Sequence, residues 1–268
     1  MVFLGMLRHF LVLALTASFL SAQEVPAPPA GGTRRPPRHL RVLPVGESPP
    51  YRQEVRDGVR YELPPPPGSV PPREVSYLRA DGQAVGSVLR LGMVGEPIAV
   101  PEGPAPVALR DGPASALDAP PWITANLPET GDALLVVWQA GQGWAKPRWL
   151  VLGDGPEACP AGTVRLVNVS PAEIALEAGP IPRPAVRPGQ DSRLPMGLSA
   201  EVPFRLSYRH PQDGSWRRFR SSALAQAGGE RTTFVVFRAD GVQPIEPLKT
   251  VILRERAPVA PAEPANAP

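Results

Sequence analysis

Prolines recur along this chain so densely that long helices have little room to form: 39 of the 268 residues are Pro, beside 25 Gly. Proline lacks a backbone N–H and has a fixed φ, so helix interiors and central strands exclude it. What lies between the prolines is a series of short apolar runs, the pattern of short strands joined by turns. The length admits one large domain or two of ordinary size.

The order of those runs is stated twice. Leu134 to Gly141 reads LLVVWQAG and Phe234 to Gly241 reads FVVFRADG, which align on a shared Ala at 239 − 140 = 99. Arg148 to Leu152 then matches Lys249 to Leu253 at 249 − 148 = 101, and Leu40 to Leu43 matches Val164 to Val167 at 165 − 41 = 124. Between these, Ile98 to Gly103 aligns with Pro184 to Gly189 at 186 − 100 = 86. A fixed strand order with unequal loops marks tandem duplication, since surface loops tolerate insertion. On these offsets the first copy carries 124 − 86 = 38 extra residues early, and the second 99 − 86 = 13 later.

About seven short strands per copy predict an all-β fold of two tandem immunoglobulin-like antiparallel β-sandwich domains, over 38–153 and 163–256, joined by a short linker at 154–162. A small barrel is the runner-up, because periodicity alone does not separate the two. Leu134 to Trp138 is apolar on both faces, so it should be a central strand, covered where the two copies or two molecules touch. Asp57-Gly58 between the near-mirror segments Glu54-Val55-Arg56 and Val59-Arg60-Tyr61 predicts an inserted hairpin with a type I′ turn. Phe204 to Tyr208 and Ser215 to Phe219, flanking HPQDG, predict another.

The ends read differently. Arg8 followed by the apolar stretch Phe10 to Leu20 and the small pair Ser21-Ala22 is a secretory signal peptide over 1–22. The apolar core is shorter than the roughly 20 residues of a membrane span. Cleavage after Ala22 is therefore expected, rather than retention as an anchor, and no transmembrane segment should follow. Residues 23–37 form a Pro-rich linker and 257–268 a disordered tail rich in Pro and Ala. Export gives weight to Cys159, the only cysteine, which excludes an intramolecular disulfide and reads as a free loop thiol.

Basic residues number 28 against 25 acidic, and only Lys146 and Lys249 are lysines, so arginine sets a sequence pI near 9.4 at a net charge of +3. Those arginines are scattered among acids, and the densest group (Arg34, Arg35, Arg38) lies between prolines. Nucleic-acid binders gather basic charge on one face, so nucleic acid is not an expected partner.

Val164-Arg165-Leu166-Val167-Asn168-Val169-Ser170-Pro171, followed by the Pro188-Gly189 turn, resembles the opening of exported bacterial β-sandwich domains of unknown function that begin with a V-R-x-x-N-x-S-P strand. The resemblance lies mainly in the second copy; in the first, Pro44 stands where Asn168 does. It implies an exported sandwich and no particular chemistry.

Chemical motifs are sparse. His39 and His210 stand in no metal-ligand spacing, and there is no nucleophile elbow or phosphate loop. Asp57, Asp81, Asp111, Asp154, Asp213 and Asp240 each precede Gly, the composition of tight turns. Asn168-Val169-Ser170 fits a glycosylation sequon but reads better as local hydrogen bonding at a strand end. YELPPPPGSVPP from Tyr61 reads as a rigid surface connector rather than a ligand for Pro-recognising domains. Trp144, in a hairpin loop, and Trp216, after a turn, are the candidate ligand-binding residues, because exposed aromatics stack on sugars or insert into partners. The expectation is an exported, secreted or periplasmic, non-catalytic binding or structural module of the cell envelope. Its partner would be an envelope protein or a glycan, with no cofactor and no metal, and no pattern sets an oligomeric state. The alternative is a secreted hydrolase acting on an extracellular glycan through paired carboxylates.

Overall fold

The computed structural model describes residues 38–79, 81–115, 120–140, 143–179, 185–196, 201–241 and 244–258. The expected signal peptide, the Pro-rich linker and the tail beyond Pro258 lie outside them. Among the described residues every regular element is a strand, as the proline spacing predicts. No helix there is long and apolar enough to cross a membrane.

The first half holds β1 (Arg38–Val45), β2 (Gln53–Arg56), β3 (Val59–Glu62), β4 (Glu74–Leu78), β5 (Ala84–Val88), β6 (Ile98–Val100), β7 (Val107–Asp111), β8 (Pro121–Ala125), β9 (Ala133–Ala140) and β10 (Gly143–Gly153). The second holds β11 (Thr163–Asn168), β12 (Ile174–Ala178), β13 (Gln190–Pro195), β14 (Val202–Arg209), β15 (Trp216–Leu224), β16 (Glu230–Arg238) and β17 (Leu248–Arg256). Two sheets, ordered β10-β9-β1-β6 and β5-β4-β7-β8, enclose one core. Two more, ordered β17-β16-β11-β13 and β12-β14-β15, enclose a second. Both halves are open sandwiches with edge strands, not barrels.

Strand pairing reproduces the sequence repeat residue by residue. Leu40 pairs with Ala133 as Val164 pairs with Thr232, offsets of 164 − 40 = 124 and 232 − 133 = 99. Trp138 pairs with Arg148 as Phe237 pairs with Lys249, the offset of 249 − 148 = 101. The middle match is corrected. Leu40 pairs with Ile98, and Val164 with Leu194, so β6 corresponds to β13 and not to Pro184 to Gly189. The true counterpart of Arg187-Pro188-Gly189-Gln190 is Arg90-Leu91-Gly92-Met93, at 189 − 92 = 97. In each turn the fourth residue donates its N–H to the first residue's carbonyl, and the Gly takes a positive φ (77° and 72°). Gly92 N–H donates to the Pro44 carbonyl at 2.8 Å and Gly189 N–H to Asn168 at 2.7 Å, so Pro44 keeps the backbone role of Asn168 without its side chain.

The immunoglobulin strand order is not adopted. That fold pairs its first strand with its second and its third with its sixth. Here the first strand of each half lies mid-sheet, β1 between β6 and β9 and β11 between β13 and β16, and runs parallel to β9 and β16 respectively. An apolar pattern on both faces explains the position: β1 and β11 belong mid-sheet, covered on both sides, rather than at an edge.

That double covering joins the halves. Along β9, Ala133, Leu135 and Val137 enter the first core, whereas Leu134, Val136 and Trp138 enter a third cluster shared with Val167, Val169, Val235 and Phe237. Equivalent positions contribute from both sides: Leu43 and Val167, Val45 and Val169, Val136 and Val235, Trp138 and Phe237, Leu150 and Val251, Leu152 and Leu253. The two four-stranded sheets therefore meet through the same face of each half, with like ends together. Burying each Leu or Val here contributes about 1.5–3 kcal/mol, as in a domain core.

The inserted hairpin forms as expected, with Asp57 (φ 51°) and Gly58 (φ 77°) in the type I′ conformation. The second predicted hairpin is β14 and β15, carrying a bulge at Phe219; it is not an insertion, because β7 and β8 form the matching pair in the first half.

Candidate binding cleft between the two sandwiches

The shared face has two unlike ends. Where β10 ends and β11 begins, a set of charges is buried. Arg41 donates to Asp154 Oδ2 at 2.8 Å and to both Glu255 oxygens at 2.6 and 2.9 Å. Arg231, 3% exposed, donates to Asp154 Oδ1 at 2.9 Å, Glu255 Oε2 at 3.1 Å and the Asp154 carbonyl at 2.7 Å. Burial opposes the charge on Arg41, but the bonds and charges of Glu255 and Asp154 outweigh it and raise its pKa. Burial likewise pushes the Glu255 carboxyl up, and Arg41 with Arg231 pulls it below its usual value.

The linker folds across this end. Arg165, also fully buried, donates to the carbonyls of Gly153 and Ala158 at 2.7 and 3.2 Å. Asp154 is thus a buried charge partner, not the simple turn residue its Asp-Gly context suggested. Cys159 is a free thiol in the connector, as expected, but it is buried there, and burial raises its pKa.

At the other end the sandwiches leave an open cleft of about 870 Å³, within the range of small-ligand sites. The tails of the two repeated stretches line it: Trp138, Gln139 and Ala140 from one, Phe237 to Gly241 from the other. Arg148 lies over the Trp138 ring at 5.6 Å, and Trp149 presents 41% of its surface. Gln139 donates from its side chain to Asp240 Oδ1, and the Asp240 N–H donates to Glu47 Oε2. Glu47 also holds Lys249, a bond that draws its pKa down. Partial burial and the charge of Glu47 push Asp240 up, against the bond from Gln139.

The two candidate tryptophans lie elsewhere and are not brought together. Trp144 is 2% exposed inside the first core, where its carbonyl accepts the Trp122 indole N–H at 2.7 Å. The backbone N–H of Trp144 donates to the Gly68 carbonyl at 3.2 Å, so the Pro-rich connector closes over the loop. Gly143 is required there: at φ 65° any Cβ would sit 2.7 Å from Gly68 O. Trp144 thus has no ring face to offer a ligand. Trp216 is 46% exposed at the start of β15. The sequence reading did not single out Trp149, which stands in the apolar run Trp149 to Leu152; its exposure arises because β10 is an edge strand at the cleft mouth.

The remaining motifs are structural. Asn168 donates to the carbonyls of Ala172 and Val186 at 2.7 and 2.8 Å and accepts from Ser170, so the sequon is sealed inside the fold. Arg38 is buried and donates to the carbonyls of Pro101, Gly103 and Pro128, while Arg34 and Arg35 lie outside the described residues. His39 and His210 each face one aspartate, Asp132 and Asp213. Among the described residues no three His, Cys, Asp or Glu side chains cluster to hold a metal. No protein-family model matches the chain, and a search of curated proteins finds no relative.

Proposed function

We propose that this chain is an exported, non-catalytic binding or structural module of the periplasm or cell envelope, whose ligand occupies the cleft between the sandwiches. In this reading one seven-stranded sandwich domain was duplicated into 38–153 and 163–256 and fused through 154–162. It is immunoglobulin-like in size and layering, with its own strand order. Loss of residues 1–22 on export and the resemblance of Val164 to Pro171 to exported sandwich domains belong to the same reading.

The cleft carries the proposal. Both repeats build it from equivalent positions, it is roomy, and it holds aromatic surface at Trp138 and Trp149 beside fixed polar groups. The test is retention of envelope components by the immobilised chain and by its Trp149→Ala and Arg148→Ala variants. A component held by the parent and released by both variants is expected; an unchanged set of bound components rejects the cleft.

One observation favours the hydrolase instead. Asp240 is pushed up while neighbouring Glu47 is held down, the division of labour that glycosidases use. Against it, the Glu47 oxygens are engaged by Lys249 and the Asp240 N–H, which fits an anchor better than a nucleophile or base. Glycan cleavage by the parent and its loss in both Glu47→Gln and Asp240→Asn would reverse the preference.

A further inference from the structure

We propose that the outer face of the β12-β14-β15 sheet docks a linear anionic polysaccharide of the polyuronate type, with Trp216 stacked on a sugar ring and arginines meeting its carboxylates. The register defines the face. Phe204 and Leu206 point into the core, so Arg205 and Arg209 of β14 point outward. Across the strand pair, Arg205 lies opposite Ser221, Ser207 opposite Arg218, and Arg209 opposite Trp216. The bulge at Phe219 brings Arg218 and Trp216 onto the face with them. Arg205, Arg209, Trp216 and Arg218 are all exposed.

Charge and shape both point to that occupant. Glu173 pairs with Arg209 at 3.1 Å, and Glu177 approaches Arg205 at 4.0 Å. Arg218 has no ion pair among the described residues, so positive charge is left over on this face. Folding does not ask for it. The corresponding strand of the first half, β8, reads PWITA, carries no charge, and packs its tryptophan, Trp122, against the core.

Arg205 and Arg209 stand about 13 Å apart along one face, a spacing suited to successive charges of an extended polymer. Guanidinium groups recognise carboxylates in a planar fork, and an indole covers the apolar face of a sugar. Single-stranded nucleic acid would call for several stacking aromatics, and a membrane for apolar residues to insert. Trp216 stands alone in both respects.

This inference rests on the reading of an exported binding module but not on the cleft. Affinity electrophoresis of the full chain through gels containing polygalacturonate or dextran tests it, with single-stranded DNA and vesicles of anionic phospholipid as competitors. Retardation by polygalacturonate alone is expected, about tenfold weaker or more in both Trp216→Ala and Arg218→Ala and unchanged in Trp149→Ala. All of these sites are exposed, so unchanged thermal unfolding checks that the variants fold. Equal retardation by dextran, no retardation, full binding by both outer-face variants, or equal competition by DNA or vesicles each overturns it. A Trp149→Ala variant that alone loses binding would move the sugar to the cleft.

Discussion

The two ends of the face between the sandwiches are built from the same repeat positions and have opposite characters. Arg41 corresponds to Arg165, and Asp154 to Glu255 at 255 − 154 = 101; at this end Arg41 pairs with both acids while Arg165 is buried against the linker's carbonyls. Trp138 corresponds to Phe237 and Val45 to Val169; these line an open cleft. The difference is the covalent connection. Residues 154–162 must cross from β10 to β11, and in doing so bring carbonyls and Asp154 over the arginines and shut out water. No connector among the described residues crosses the other end, so the cleft stays open there above Trp138 and the exposed Trp149. The repeat thus supplies two equivalent faces, and the linker makes their ends unequal.

The comparison breaks most readily at the closed end. Arg231→Ala should destabilise the chain by about 3 kcal/mol in urea unfolding, because it removes the most deeply buried partner of Asp154 and Glu255 and leaves Arg41 to hold both. Loss of less than about 1 kcal/mol would mean that the network is hydrated and the ends alike. Midway along the face, Leu43→Ala should cost about 2–5 kcal/mol in the same measurement, as in any packed core. A negligible cost would mean that the sandwiches merely touch.

Acid sharpens the contrast. Folded Glu255 has a lowered pKa, so the folded state binds fewer protons than the unfolded chain. Its stabilisation is present above the usual carboxylate value near 4.5 and is lost as pH falls through the folded value. Asp240 at the cleft is shifted upward, so acid relieves it, with a smaller effect because it is exposed. Unfolding midpoints between pH 7 and 3 should therefore fall less steeply for Glu255→Gln than for the parent, and slightly more steeply for Asp240→Asn. The smallest effect is expected for Glu47→Gln, whose ion pair with Lys249 is partly exposed and should leave the pH 7 midpoint nearly unchanged.

Much of the fold was legible because strand periodicity and glycine turns are local properties. The offsets of 99, 101 and 124 reappear in the strand registers. The middle match failed because Ile98 to Gly103 and Pro184 to Gly189 share composition without sharing a pairing partner. The equivalent turns at Gly92 and Gly189 share only Arg and Gly. The site was less legible. Trp144 and Trp216 were chosen as loop aromatics, yet one is closed over by a Pro-rich connector from 75 or so residues away and only the other is exposed. No local pattern distinguishes Trp149 on an edge strand from a core tryptophan.

The sequence by itself determined that the chain is built of strands, that it repeats, and that Leu134 to Trp138 is covered on both faces, because proline spacing and alternation act within a few residues. Only the tertiary structure decided where the first strand sits in each sheet, which charges become buried, and that a cleft opens at one end of the shared face. Those outcomes depend on which surfaces meet after residues more than a hundred apart are brought together, and on where the linker has to cross.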